Sequence, residues 1–169
     1  MTAFDSTVSG ATSTSYIDVA SADAYFGARR NADAWTSLTA TADKQLALMA
    51  ATQRLEQLKY CGTRTTSAQR LKWPRYGLVD DDNWPYPHTA IPRPVVEATC
   101  EMALHLLNSG ADDPLIETGL ENLRTLAAGG GLSLGFRDDT VPGALPVQVR
   151  RLLRGMIEGG DGRARLVRG

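Results

Sequence analysis

Apolar side chains recur at intervals of three and four along several stretches of the chain, the spacing typical of one buried face of an α-helix. The strongest stretch predicts a helix over residues 42–60, with apolar positions at Leu48, Ala51, Leu55 and Leu58. A second, wider stripe predicts a helix that Pro92 and Pro94 open and Gly110 ends, because proline is tolerated in a first helical turn. We expect these two helices to form the centre of the fold.

Three weaker patterns predict shorter helices on either side of this pair. Residues 22–30 follow Ser21, a suitable N-cap, and have Tyr25 and Phe26 as apolar anchors. Residues 114–126 show a brief helical spacing of leucines. Residues 147–157 show a longer apolar stripe, which a cluster of glycines ends.

Two kinds of non-helical segment separate these patterns. Residues 71–87 are irregular and rich in proline. Residues 132–136 follow three glycines and alternate in polarity, which predicts a strand or an extended segment. The expected fold is therefore mainly α: a compact bundle of four to five helices with a proline-rich loop, a short extended segment and flexible termini.

Both ends of the sequence differ from its middle. Residues 1–15 are small and polar, and such a segment buries too little apolar surface to offset its ordering entropy. Residues 159–169 combine glycines with alternating arginines. We therefore expect a flexible N-terminal arm over residues 1–15, one helical domain over residues 16–158, and a flexible basic tail over residues 159–169.

Composition narrows the classes of protein. A length of 169 residues suits one domain with a hydrophobic core. The net charge of −1 provides no overall attraction to nucleic acid or membranes. No stretch approaches the roughly 20 apolar residues that span a bilayer, so no membrane partner is expected. The 15 arginines against 3 lysines suit forked or interfacial ion pairs, although a coding bias would produce the same excess.

No residue pattern predicts catalysis, a cofactor or a metal. Cys61 and Cys100 lie far apart and form no CxxC pair, so we interpret them as small buried residues. His105 lacks a second ligand at helical spacing, and His88 has no evident partner. The three glycines at 129–131 are not followed by the Lys-Ser/Thr of a phosphate-binding loop. An enzyme with an unrecognised site stays the weakest alternative.

One local basic region stands out near the C-terminus. Arg150, Arg151 and Arg154 lie on the last predicted helix, and Arg163, Arg165 and Arg168 lie in the tail. Phosphate contacts would use such a patch. A solvated charged face and an interface to an acidic partner are the alternatives. The run of Asp80, Asp81 and Asp82 lacks the spacing of a calcium loop, and we interpret it as a solvated loop or as an acidic patch.

The order of several short motifs resembles a known family. They are YIDV at 16–19, ADAYF at 22–26, AW at 34–35, AATQRL at 50–55, GTR at 62–64, LKWPR at 71–75, IP at 91–92, VVEA at 95–98 and EMAL at 101–104. This order is similar to that of head–tail connector, or adaptor, proteins of tailed bacteriophages, including a group labelled DnaT-like ssDNA-binding. The tryptophan–proline–arginine element is the most distinctive piece.

The resemblance implies a structural virion protein without catalysis. It implies a homo-oligomeric, twelvefold ring in the neck of the virion, assembled in the host cytoplasm. The ring would join the phage portal protein to a tail or stopper protein, and genomic DNA would pass through its channel without sequence-specific binding. Residues 16–158 would then be the connector domain.

Within this hypothesis three sets of residues receive roles. The structural anchor is Trp73, Pro74 and Arg75, since a large aromatic before proline pins an irregular loop. The subunit interface sets the acidic run Asp80, Asp81 and Asp82 against Arg150, Arg151 and Arg154 of a neighbouring copy. The portal-binding tail, which would add a strand to the partner, comprises Arg163, Arg165, Leu166, Val167 and Arg168.

The alternative hypothesis is a single-stranded DNA-binding protein or a replication accessory protein. It requires aromatic side chains interleaved with basic ones on one surface. Trp73, Arg75, Tyr76 and Trp84 supply both types within a short stretch. The prolines between them favour a rigid, packed loop instead.

Overall fold

The described part of the chain contains five helices and two short antiparallel strand pairs, joined by irregular segments. A computed structural model describes residues 3–109, 123–126, 134–136 and 145–158. The helices are α1 (Val19–Gly27), α2 (Asp33–Thr36), α3 (Thr41–Glu56), α4 (Arg93–Ser109) and α5 (Val147–Leu152). The strands are β1 (Thr63–Arg64), β2 (Arg75–Tyr76), β3 (Leu123–Leu126) and β4 (Leu134–Phe136). The expectation of a mainly α fold is confirmed.

The two long helices, α3 and α4, pack against each other at the centre. The buried face of α3 includes Leu48, Ala51 and Leu55, as its periodicity predicts. On α4 the buried run extends from Ala98 to Leu104, so its apolar stripe is covered from more than one side. The elements α1, α2 and α5 supply that cover, since each of them contacts α4.

Helix α1 begins earlier than predicted because Asp18, not Ser21, caps it. The Asp18 carboxylate accepts a hydrogen bond from the backbone N–H of Ser21 at 2.8 Å and one from its hydroxyl at 2.8 Å. These bonds lower the pKa of Asp18. A carboxylate at this position also meets the positive end of the helix dipole.

Helix α2 is a single turn that lies outside every helix predicted from the sequence. Its Trp35 is only 1% exposed and packs on the Phe26 ring with a centroid distance of 4.7 Å. The indole N–H donates to Asp23 Oδ1 at 2.8 Å, and Lys44 Nζ forms an ion pair with the same oxygen at 2.7 Å. The contacts of this one tryptophan therefore hold the turn in place, and so short a helix has no repeating apolar pattern that would predict it.

The C-terminal half departs from the predicted helices. The chain forms strand β3 where the helical prediction for residues 114–126 ends, and β3 pairs with β4 in the segment expected to be extended. Leucines three residues apart over a single turn do not separate helix from strand. Helix α5 ends at Leu152 instead of residue 157, and Ile157 forms a bridge with Tyr60.

Residues 3–15 follow a defined path, which differs from the expected flexible arm. The backbone N–H groups of Thr14 and Ser15 both donate to the carbonyl of Asp5, at 2.7 and 3.0 Å. Ser13, Thr14 and Ser15 are buried. Hydroxyl groups satisfy buried backbone partners here, so the segment packs without large apolar side chains.

The long connection between α3 and α4 is organised around a two-stranded ribbon and one tryptophan. Thr63 pairs with Tyr76 and Arg64 pairs with Arg75 in the ribbon formed by β1 and β2. Gly62 precedes β1 at φ +73°, and a Cβ there would lie 2.1 Å from the carbonyl oxygen of Tyr76. Only glycine permits that close approach.

Replacing Trp73 with alanine is expected to lower the free energy of unfolding by about 3–5 kcal/mol. Its side chain is 1% exposed and packs edge-on against Tyr60 at 5.3 Å. Trp84→Ala is the matched control, since that tryptophan is 71% exposed and should change stability by less than about 0.5 kcal/mol. Urea denaturation measures both. Equal effects of the two substitutions would contradict the anchoring role of Trp73.

The N-terminal loop is expected to depend on pH through Asp5. Hydrogen bonds from Thr12, and then from Thr7, lower the pKa of Asp5 from 3.8 to about 2. Because the folded-state pKa is depressed, the carboxylate supports the loop above pH 3.8, and this support is lost as the pH falls through about 2.

A carbon-detected NMR titration of the Asp5 carboxyl measures this pKa directly. Thr12→Val removes the largest cause and should raise the midpoint toward 3.8, whereas Thr12→Ser keeps a hydroxyl and should preserve the low value. An unchanged midpoint in the valine variant would show that Thr12 does not hold the carboxylate.

Candidate nucleic-acid interface

The distinctive tryptophan–proline–arginine element lies largely inside the protein. Trp73 and Pro74 are buried. The Arg75 guanidinium donates to four backbone carbonyls, those of Tyr60, Cys61, Gly62 and Lys72, at 3.2, 2.7, 2.6 and 3.2 Å. Its hydrogen-bonding capacity is used within the chain. Neither Trp73 nor Arg75 is therefore available to stack on a base or to contact a phosphate.

The acidic run forms a tight turn whose first member has an internal role. Asp80 Oδ1 accepts hydrogen bonds from the backbone N–H groups of Asp82 and Trp84, at 3.0 and 2.8 Å. Asp81 and Asp82 are exposed. Arg150 and Arg151 are exposed on α5, and no ion pair joins them to this turn within the described residues. Arg154 is exposed as well.

The proposed tail site lies outside the described residues. It comprises Arg163, Arg165, Leu166, Val167 and Arg168. Its assignment rests on the sequence alone.

An exposed aromatic pair lies at the ribbon, where Tyr76 stacks on His88. The ring centroids are 4.5 Å apart, the planes are inclined by 29°, and Tyr76 is 45% exposed. The Thr65 hydroxyl donates to the His88 carbonyl at 3.0 Å and fastens the loop that carries the histidine. His88 cannot be identified from the sequence pattern, because its partner is twelve positions away and reaches it only through the folded loop.

Two arginines close to this pair in sequence keep most of their hydrogen-bonding capacity. Arg64, one position along β1 from the partner of Tyr76, donates once, to the Gln69 carbonyl at 3.3 Å. Arg70 donates from its side chain to the Thr12 carbonyl at 3.3 Å. Both are exposed, and neither forms an ion pair with a described residue. They are therefore available to a polyanion.

Trp84 is the most exposed large apolar side chain of the described residues, at 71%. It lies in the acidic turn, where the backbone N–H of Asp80 donates to its carbonyl at 2.8 Å. Burial, followed by the charges of Asp80 and Asp81, raises the pKa of nearby Tyr86. The turn thus has a negative field, which disfavours phosphates beside Trp84.

Two kinds of feature are absent from the described residues. No helix there is both long and apolar enough to cross a membrane. No group of three or more histidine, cysteine, aspartate or glutamate side chains there could hold a metal ion.

Comparison with known proteins finds a matching family. The model of the family described as "Putative DnaT-like ssDNA binding protein" matches residues 5–169. No curated protein and no solved structure matches the chain. Since the family model covers nearly the whole chain, the chain belongs to this family.

The match contradicts the connector hypothesis. A DnaT-like ssDNA-binding family corresponds to the alternative function, so the ring oligomer, the portal and stopper partners and the passive passage of DNA are wrong. The assignment of Asp80–Asp82 and the α5 arginines to a ring interface loses its basis with the ring, and so does the portal-binding tail. The motifs that carry the resemblance include Trp73, Pro74 and Leu55, which are buried. Such motifs reflect packing inside the subunit and carry no information about its partners, which explains the error.

We expect Arg75→Lys to lower the stability of the protein without changing its affinity for DNA. A lysine cannot donate to four carbonyls at once, and the groups left unpaired should cost about 1–3 kcal/mol. Urea denaturation measures the loss. Arg64→Lys is the control, since Arg64 makes one such bond, and it should change stability little. A stable Arg75→Lys protein with weakened DNA binding would show that Arg75 contacts the nucleic acid instead.

Proposed function

We propose that this member of the DnaT-like family binds single-stranded DNA as a non-enzymatic binding protein. The observation that carries the proposal is the family match over residues 5–169, which contains every surface described above. The exposed pair of Tyr76 and His88 supports it. We call this pair the ribbon surface.

Stacking is the first interaction that the ribbon surface offers. An unpaired base can lie on an exposed aromatic ring, and each such contact contributes about 1–3 kcal/mol regardless of sequence. The exposed part of Tyr76 leaves room for a base, while His88 supports the ring from one side. A ring held in place before binding loses less entropy when the DNA arrives.

Local charge is the second interaction. The whole chain has a net charge of −1, so attraction to DNA must come from a patch. Arg64 and Arg70 are exposed on the connection that also carries the aromatic pair, and they are the candidates for phosphate contacts. Two phosphate contacts predict a shallow salt dependence, with a slope of about 0.7 per contact for single strands.

The acidic turn is a poor alternative for the same DNA. Trp84 offers a larger ring and more exposed surface than Tyr76. However, a strand stacked there would bring its phosphates next to Asp81 and Asp82, both of which are exposed. Like charges at that range disfavour binding, particularly at low salt. We therefore expect the DNA to stack on Tyr76.

Fluorescence anisotropy of a labelled oligothymidylate tests the function and its surface together. Tyr76→Ala should weaken binding by roughly 5- to 150-fold, which corresponds to one lost stacking contact. Tyr76→Phe keeps the ring and should bind as the unchanged protein does. Trp84→Ala is the matched control and should leave affinity unaltered.

Two outcomes would contradict the proposal in different ways. If the unchanged protein does not bind single strands even at low salt, the function is wrong. If Trp84→Ala weakens binding and Tyr76→Ala does not, the chain binds DNA through the acidic turn and the ribbon surface is wrong. Circular dichroism of each variant establishes that the fold is retained.

A further inference from the structure

A cleft of about 210 Å³ opens between α4, the start of α5 and Arg29, which follows α1. Its lining includes the charged pair Arg29 and Glu101, the polar side chains of His105, Asn108 and Gln148, and the apolar side chains of Leu104 and Val147. Its volume is below the roughly 300–1,000 Å³ of sites for drug-sized ligands. A single small ring fits this size better than a larger cofactor.

The charges of Arg29 and Glu101 in the cleft are paired with each other. Glu101 is 8% exposed, and its Oε2 accepts from Arg29 Nη2 at 2.8 Å while its Oε1 accepts from the Tyr25 hydroxyl at 2.6 Å. The bond to Glu101 raises the pKa of Arg29. A closed ion pair offers little net charge to a phosphate. The cleft therefore suits a neutral polar ligand.

The ion pair also orients an amide at the mouth of the cleft. Arg29 Nη2 donates to Gln148 Oε1 at 3.4 Å, which turns the carbonyl end of the side chain toward the guanidinium. The Nε2 amide group of Gln148 then has no partner among the described residues. The Asn108 side chain has none there either. The cleft consequently offers N–H donors beside apolar walls.

We propose that this cleft receives one unpaired pyrimidine base of a bound single strand, with thymine as the best fit. Thymine carries two ring carbonyls that accept from amide N–H groups, and its methyl group suits walls formed by Leu104 and Val147. The inference rests on the proposed function and adds base preference to it. Stacking on Tyr76 provides no such preference, because every base has an aromatic face.

The neighbouring turn of α5 supplies a place for the backbone phosphate. Arg151 follows Val147 by four positions and Gln148 by three, so all three lie on one side of the helix. Arg151 is exposed and forms no ion pair with a described residue. A nucleotide with its base in the cleft can thus place its phosphate at this guanidinium.

Two titrations test the inference. The first compares oligothymidylate with oligodeoxyadenylate of equal length, and the unchanged protein should favour oligothymidylate. Gln148→Ala should reduce affinity for oligothymidylate by roughly fivefold, the value of one hydrogen bond, and leave oligodeoxyadenylate unaffected. Gln148→Leu keeps the approximate size without adding a charge and removes the donor, so it should act alike. Gln53→Ala, an exposed glutamine on α3, is the control.

The second titration adds thymidine 5′-monophosphate and follows backbone amide shifts by NMR. Shifts at Asn108 and Gln148 that disappear in Gln148→Ala support the cleft as a base site. Equal affinity for both oligonucleotides, with no shifts at the cleft, overturns the inference but leaves the proposed function intact if Tyr76 still matters. Shifts at the cleft without oligonucleotide binding support a nucleotide site and overturn the proposed function. Absence of both kinds of binding overturns both.

Discussion

The packing of α3 against α4 is the constraint on which the rest of the fold depends. Leu48 and Leu55 on one helix and the buried run of α4 on the other form the centre of the core. The two helices are separated in sequence by residues 57–92, which contain no helix. That long connection must cross the surface of the pair, and its backbone polar groups need partners. Much of the remaining structure provides hydrogen bonds to these backbone groups.

Side chains, rather than regular secondary structure, provide hydrogen-bond partners for many backbone carbonyls of this connection. Arg75 donates to four carbonyls, Gln69 Nε2 to those of Leu71 and Pro74, and Lys72 Nζ to that of Leu58. Trp73 adds the apolar contact that seats the loop on the helices. The same loop then carries Tyr76 and His88 on its outer side. The ribbon surface is thus positioned by interactions that are themselves unavailable to a ligand.

Sequence patterns predict the parts of this structure that repeat. Helices α3 and α4 each extend over several turns, so their apolar positions recur often enough to locate them to within a few residues. Helix α2 has four residues and offers no repeat, although its Trp35 is central to packing. The N-terminal segment is held by hydroxyl-to-backbone bonds, which leave no hydrophobic signal. For the candidate site, Tyr76 is identifiable from composition, whereas His88 requires the folded loop.

The excess of arginine over lysine also has a structural explanation beyond charge. Arg29 and Arg75 each donate to two or more backbone carbonyls, and Arg29 does so while holding Glu101. A forked guanidinium can serve several acceptors at fixed geometry, which an ammonium group cannot. Arginines spent in this way contribute little to attracting a polyanion. Binding of single strands by this chain would therefore rest on a few arginines with unused donors together with ring stacking, and would weaken less with salt than binding by a uniformly basic surface.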